Sequence, residues 1–226
     1  MPKAIQTSNQ KRYTLDLIIY IAIMFLIRET SIPNTHYLVT GFLYSGTTLI
    51  VASLMMKRRG VTWKSLGLRR PKSIKKTLLS ALVIFITVIA TFLIFNIIQD
   101  QFAVAKDSSE AAKGTITGYS LSNGDYAYVF SVIVFVWLQS ALEELLERGF
   151  LITWVEGVLS NVKLRTAIAI VFQACIWGFR HSYDISERSI SVALVGIVMG
   201  IAYVKLDRNL WPVIIAHSAM NTMSLI

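Results

Sequence analysis

Charge is what this sequence has least of. Only 15% of its 226 residues are Asp, Glu, Lys or Arg, against about a quarter in ordinary soluble domains. A chain so poor in charge, and 54% hydrophobic, cannot cover a soluble globule with polar surface. Its mean hydropathy of +0.58 belongs to a membrane protein. Cysteine is almost absent too. The lone Cys175 excludes an intramolecular disulfide and any metal site built on clustered cysteines, and its place in an apolar run predicts core packing. Acidic residues are the scarcer sign, 13 against 22 basic. The resulting net charge of +9 would suit nucleic acid if it were spread over a surface. Instead the basic residues gather between hydrophobic runs, as in cytoplasmic loops. Nucleic acid is therefore rejected as a partner in favour of the lipid bilayer. There is no internal repeat and no HExxH, and no stretch makes a separate soluble domain.

The hydrophobic runs are what the sequence has most of. A spanning helix needs about 20 mostly apolar residues. Seven stretches qualify or come close: Leu15–Ile27, Tyr37–Met56, Leu78–Ile98, the long, interrupted Ala127–Val158, Thr166–Arg180, Ile190–Val204 and Leu210–Ile226. The first, behind Lys3, Lys11 and Arg12, resembles a signal peptide. It ends in RETSIPN without a small-x-small cleavage site, so it reads as a retained span. With the N-terminus inside, 17 of the 22 basic residues fall on the inner side, leaving only Arg28, Lys106, Lys113, Arg180 and Arg188 elsewhere. This bias favours a cytoplasmic N-terminus. The inner loop KRRGVTWKSLGLRRPKSIKK reads as topogenic, with Val61, Trp63, Leu66 and Leu68 able to lie along the membrane surface. The outer loop Asp100–Asp125 is polar. The expected fold is all-α, a polytopic membrane bundle of about seven helices around a polar cavity.

SALEELLERGF, Ser140–Phe150, interrupts this pattern. Each ionisable residue at a helix centre costs roughly 2.5–3.5 kcal/mol to insert, so Glu143, Glu144, Glu147 and Arg148 need partners or a polar cavity. At 100° per residue, Glu144 and Arg148 lie about 40° apart, one turn along, with Glu first, the favourable order. Glu143 faces elsewhere, about 140° from Arg148, and shares its face with Glu147. Glu143 is thus the acid most available for chemistry, with Glu144 and Arg148 as its support. A structural ion-pair network is the alternative. A helix end in water is another, against which the resumed apolar run LITWVEGVL argues.

The three histidines supply candidate partners. His36 sits in an outer loop and reads as incidental. The midpoint between Glu143 and His181 falls at residue 162, inside the polar stretch Ser160–Lys163. A turn there brings the two residues to the same depth on antiparallel helices. His217 and Asn221, spaced i, i+4, share one face and can hold a carbonyl oxygen or oxyanion, or else bond neighbouring helices. A Glu can act as general base and a His can orient or polarise water.

EELLER, WGFRH and HSAMN, in this order and spacing, resemble the EExxxR, FxxxH and HxxxN motifs of the CAAX-protease and bacteriocin-processing family of intramembrane proteases. That family includes type II CAAX prenyl endopeptidases and Abi-type proteins. The resemblance is strong over residues 120–226 and loose before, which divides the chain into N-terminal helices (1–119) and a catalytic core (120–226). It implies a helical membrane fold with Glu143 as the base activating water and His181 beside it. It also implies His217 and Asn221 as oxyanion stabilisers, with Glu144 and Arg148 shaping the site. Trp177 departs from the usual Phe of FxxxH. Glu147 stands where Phe is common, and an extra acid there disfavours ionisation of Glu143. The expected substrate is a membrane-associated peptide or protein. No cofactor is expected; zinc held by a Glu and two His is the alternative. The alternative function is a non-proteolytic immunity or scaffold protein of the same fold. A transporter using the buried acids as a proton path is disfavoured by the lack of repeat halves.

Overall fold

A computed structural model describes residues 10–27, 37–102 and 126–223. Among them every regular element is helical: α1 (Gln10–Leu26), α2 (Tyr37–Arg58), α3 (Ile74–Phe102), α4 (Tyr126–Glu144), a π-helical segment (Leu145–Leu151), α5 (Ile152–Val158), α6 (Arg165–Ser182), α7 (Glu187–Lys205) and α8 (Leu210–Met223). The helical stretch of residues 126–158 runs through its charged interruption without a break in helical structure, so seven rods correspond to the seven expected spans. His36 and residues 103–125 of the expected outer loop lie outside the described residues; Asp100 itself is still helical. Among the described residues, three segments are long and apolar enough to cross a membrane on their own, Val39–Arg58, Ile74–Gln101 and Glu187–Lys205. The remaining helices are shorter or carry the polar residues of the site. At about 1.5 Å per residue, the 14 residues of α8 rise about 21 Å, less than a hydrocarbon core of about 30 Å.

The protein is apolar outside and polar in part of its interior. Leu78, Leu79, Leu82, Val83 and Ile86 on α3 are exposed, whereas Glu144, Glu147 and Arg148 are fully buried. This arrangement fits a bilayer, where apolar surface needs no cover and polar groups must be satisfied inside. An aromatic stack anchors α1 to the motif helix. Phe150 stacks on Trp154 at 4.1 Å, Tyr20 packs on Phe150, and Tyr13 meets Trp154 edge-on. Small residues join α6 to α7: a Cβ on Gly196 would stand 3.1 Å from Ala174 Cα, and one on Gly200 2.9 Å from Ile170 Cγ2. Such small-xxx-small spacing lets membrane helices approach closely. A left-handed Tyr183 ends α6, and Ser186 caps α7 by accepting from the Ser189 N–H.

Two expectations are corrected. Cys175 is exposed, on the outer face of α6: an apolar helix in lipid has an outer face as apolar as its inner one, so hydrophobicity alone does not tell which residues pack. The apolar residues of the basic loop turn inward onto the helices. Leu66 belongs to the core, and Val61, Trp63 and Leu68 pack against it. The loop clasps the α7–α8 turn: Tyr203 Oη donates to the Leu66 carbonyl at 2.7 Å, Arg69 donates to the Asp207 carbonyl at 2.7 Å, and the Leu210 N–H donates to the Gly67 carbonyl at 3.2 Å. Gly67 has φ of +110° and touches the Arg208 backbone; any Cβ would stand 1.8 Å from the Arg208 carbonyl oxygen. Arg208 in turn donates to buried Glu156 at 2.7 Å. Burial pulls the Arg208 guanidinium down, but the Glu156 hydrogen bond and charge outweigh it and hold it above its ordinary value.

Candidate active site

Helix α4, the π-helical segment, α6 and α8 bring the charged motif together with both described histidines. The wide turn begins directly after Glu144 and closes with the Ile152 N–H bonded to the Glu147 carbonyl. Such π-turns are rare and concentrate at functional sites. Glu144 and Arg148 pair within the helix at 3.0 Å, both fully buried, as their i, i+4 spacing requires. The guanidinium also lies 4.3 Å from the centre of the Trp177 ring, a cation–π contact in a dry setting. Arg148 makes no hydrogen bond of good geometry within the protein. Its contact with Glu144 is therefore one of charge rather than of aligned N–H and oxygen.

Glu143 and Glu147 both face α6 but find different partners. Glu143 accepts from the Trp177 indole N–H at 3.2 Å and from the Gln139 amide at 3.1 Å. Its carboxylate stays one-fifth exposed, with Oε2 at 3.9 Å from His217 Nε2. Glu147, 1% exposed, is paired with Arg180 at 2.8 Å, so it is not the bare acid beside Glu143 that its place in the motif suggested. The other carboxylate oxygens of Glu144 and Glu147 are buried without a hydrogen-bond partner in the protein.

Both histidines are held through Nδ1. His181 gives its Nδ1 proton to the Trp177 carbonyl at 2.7 Å, since a carbonyl can only accept. Its ring meets the Trp177 indole edge-on at 4.8 Å. His217, buried, contacts Glu144 through Nδ1 at 2.8 Å, which turns Nε2 towards Glu143. Asn221, one turn along α8, donates to Ser140 Oγ at 3.0 Å, so both α8 residues address α4. All six expected site residues thus fall into one contiguous cluster. What the sequence reasoning missed is its centre: Trp177 touches Glu143, Arg148, His181 and His217. The spacing of Trp177, Arg180 and His181, i, i+3 and i+4 on one face of α6, is the sequence signal for it. Among the described residues, no group of three or more His, Cys, Asp and Glu side chains is arranged to hold a metal ion.

Residues 125–223 match the family model for the Rce1-like type II CAAX prenyl endopeptidase. The match bears out the family that the three motifs resemble. Neither the curated proteins nor the solved structures include a significant match. The Rce1-like segment starts at the head of α4 and ends with α8, so it holds every residue of the cluster. At the level of the family, the chain is similar to CAAX-type membrane proteases, which are hydrolases.

Proposed function

We propose that this protein is an intramembrane endopeptidase. It hydrolyses a peptide bond in a membrane-associated peptide or protein: a CAAX-type tail, a bacteriocin leader or a signalling propeptide. The observation that carries the reading is the opposition of Glu143 Oε2 and His217 Nε2 across 3.9 Å, with Glu144 holding His217 from behind. That gap is too long for a direct hydrogen bond and wide enough to share a small polar group. Glu143 takes a proton from water as the water oxygen attacks the scissile carbonyl carbon, and later delivers it to the leaving amine. The electron pair of the carbonyl moves onto its oxygen. His217 in its imidazolium form, with Nδ1–H on Glu144 and Nε2–H on that oxygen, and the Asn221 amide act as the preorganised donors of an oxyanion hole. Glu144 orients His217 much as a carboxylate orients the histidine of a catalytic triad, and Arg148 neutralises Glu144. His181, fixed through Nδ1, keeps Nε2 for the water and helps to orient it.

The proposed mechanism is metal-free, because it needs Glu143 as a free base. Stoichiometric zinc whose removal abolishes cleavage and whose return restores it would overturn that part. The proposed location is a bacterial plasma membrane, crossed several times, with the N-terminus cytoplasmic. The test of the function is cleavage of candidate peptides by protein reconstituted in membranes, comparing wild type with Glu143→Gln. The amide keeps the size and the Trp177 contact but is no useful base. Cleavage by wild type and none by the folded variant is expected. If wild type cleaves and Glu144→Gln is the dead variant instead, Glu144 is the base. If neither substitution affects cleavage, the acids are structural and the mechanism fails.

A further inference from the structure

A second feature lies away from the Glu143 cluster. A cavity of about 460 Å³ runs between α3 and α7. Its α3 wall is the stripe Leu79, Ser80, Val83 and Thr87; its α7 wall is Val198, Ile201 and Lys205, spaced i, i+3, i+7. Gly196 and Gly200, on another side of α7, face α6 instead. The groove therefore opens outward, and its wall residues Leu79, Val83 and Ile201 are exposed.

The groove is polar at one end only. The loop of residues 59–73 fastens to Tyr203 and Asp207, which brings the start of α3 beside the end of α7. Lys76 lies four residues before Ser80, on the same stripe, and Lys205 lines the cavity from across; both are exposed. Ser80 adds a hydroxyl one turn below Lys76. Towards the other end, Thr87 turns its hydroxyl back onto the Val83 carbonyl at 2.8 Å, leaving an apolar wall. From residue 79 to residue 87 the stripe rises about 12 Å. A single molecule with an acyl chain and an anionic head matches this order of apolar wall, hydroxyl, lining Lys205 ammonium and a second lysine, Lys76, one turn before Ser80 on α3. Basic pockets between transmembrane helices on the positively charged side take such heads.

We propose that the α3–α7 groove is a binding site for one anionic glycerophospholipid, its chain along Val83 and Ile201 and its phosphate between Lys76 and Lys205. The site is separate from the proposed active site and does not depend on its chemistry. The full chain is reconstituted in phosphatidylcholine alone or mixed with phosphatidylglycerol, then released into detergent for native mass spectrometry. Wild type is expected to retain one phosphatidylglycerol and to discriminate against phosphatidylcholine. Lys76→Gln with Lys205→Gln is expected to weaken that retention about 30-fold, which is two lysines at about 1 kcal/mol each converted at about 1.4 kcal/mol per tenfold. Lys163→Gln, at an exposed lysine of the α5–α6 turn, should change nothing. Ala202→Leu, which fills the groove without touching charge, should also lower retention, and it decides the matter should the double variant not fold. Equal retention of both lipids, an equal loss with Lys163→Gln, or a groove that retains an isoprenoid or peptide in place of phospholipid would each overturn the proposal.

Discussion

Two buried ion pairs hang from the same π-helical segment and are built differently. Glu144–Arg148 is local: one helix carries both charges, four residues apart, and neither side chain has any exposure. Glu147–Arg180 spans two helices, and its arginine keeps 19% of its side-chain surface exposed. The first is a closed support. It holds His217 through Glu144 and the Trp177 face through Arg148. The second is a tie between the motif helix and α6, with its arginine end partly exposed. Charges in a low-dielectric interior are costly unless paired, so loss of the arginine should hurt more where its removal opens no path for water to the buried carboxylate. The two pairs thus let burial be separated from charge within one site.

The largest effect is expected at the closed pair. Arg148→Ala leaves the fully buried Glu144 only its His217 contact and removes the guanidinium from Trp177. Breaking a buried pair costs roughly 3–5 kcal/mol, a large share of the roughly 5–15 kcal/mol that holds a domain folded. Less folded protein in the membrane and a lowered detergent melting temperature are the expected readings. Arg180→Ala should cost less, about 1–3 kcal/mol, because Glu147 can recruit water through the opening that the arginine leaves. If Arg180→Ala proves as damaging as Arg148→Ala, the difference in burial does not govern these pairs.

A third substitution acts on activity rather than stability. Trp177→Phe keeps an aromatic face for Arg148 and an edge for both histidines, and removes only the N–H given to Glu143. A hydrogen bond to a charged group is worth about 1.5–3 kcal/mol, so peptide cleavage is expected to fall about tenfold to a hundredfold with melting temperature nearly unchanged. An unchanged cleavage rate would show that the indole N–H does not position the carboxylate. The smallest effect is expected from Glu147→Leu combined with Arg180→Leu. Replacing both members of a buried pair by apolar residues is often neutral or stabilising, so the double variant should melt close to wild type and above Arg180→Ala alone. A double variant as unstable as the single one would mean that the tie itself, and not the stranded charge, holds α6 in place.

Much of this was legible in the chain. The helical class followed from the low charge and the long apolar runs, since a bilayer leaves helices or closed barrels as spanning structures. The Glu144–Arg148 pair followed from i, i+4 spacing, and the return of α6 along the motif helix from the turn at Ser160–Lys163. These are local or nearly local facts, decided by helix geometry. The outward position of Cys175 and the tucking of Leu66 were not legible, because in lipid an apolar residue is equally at home on either side of a helix. Nor was the pairing of Glu147 with Arg180, or the Trp177 indole N–H on Glu143. In those contacts the partners are 33 and 34 residues apart, and they meet only because the α4–π–α5 rod and α6 pack at one rotation. Composition and helical period settle which residues can ionise, which helices can form and which partners share a helix. The rotation and depth of each helix against its neighbours were decided by the tertiary structure alone, because packing across many side chains, and not the period of any one helix, sets them.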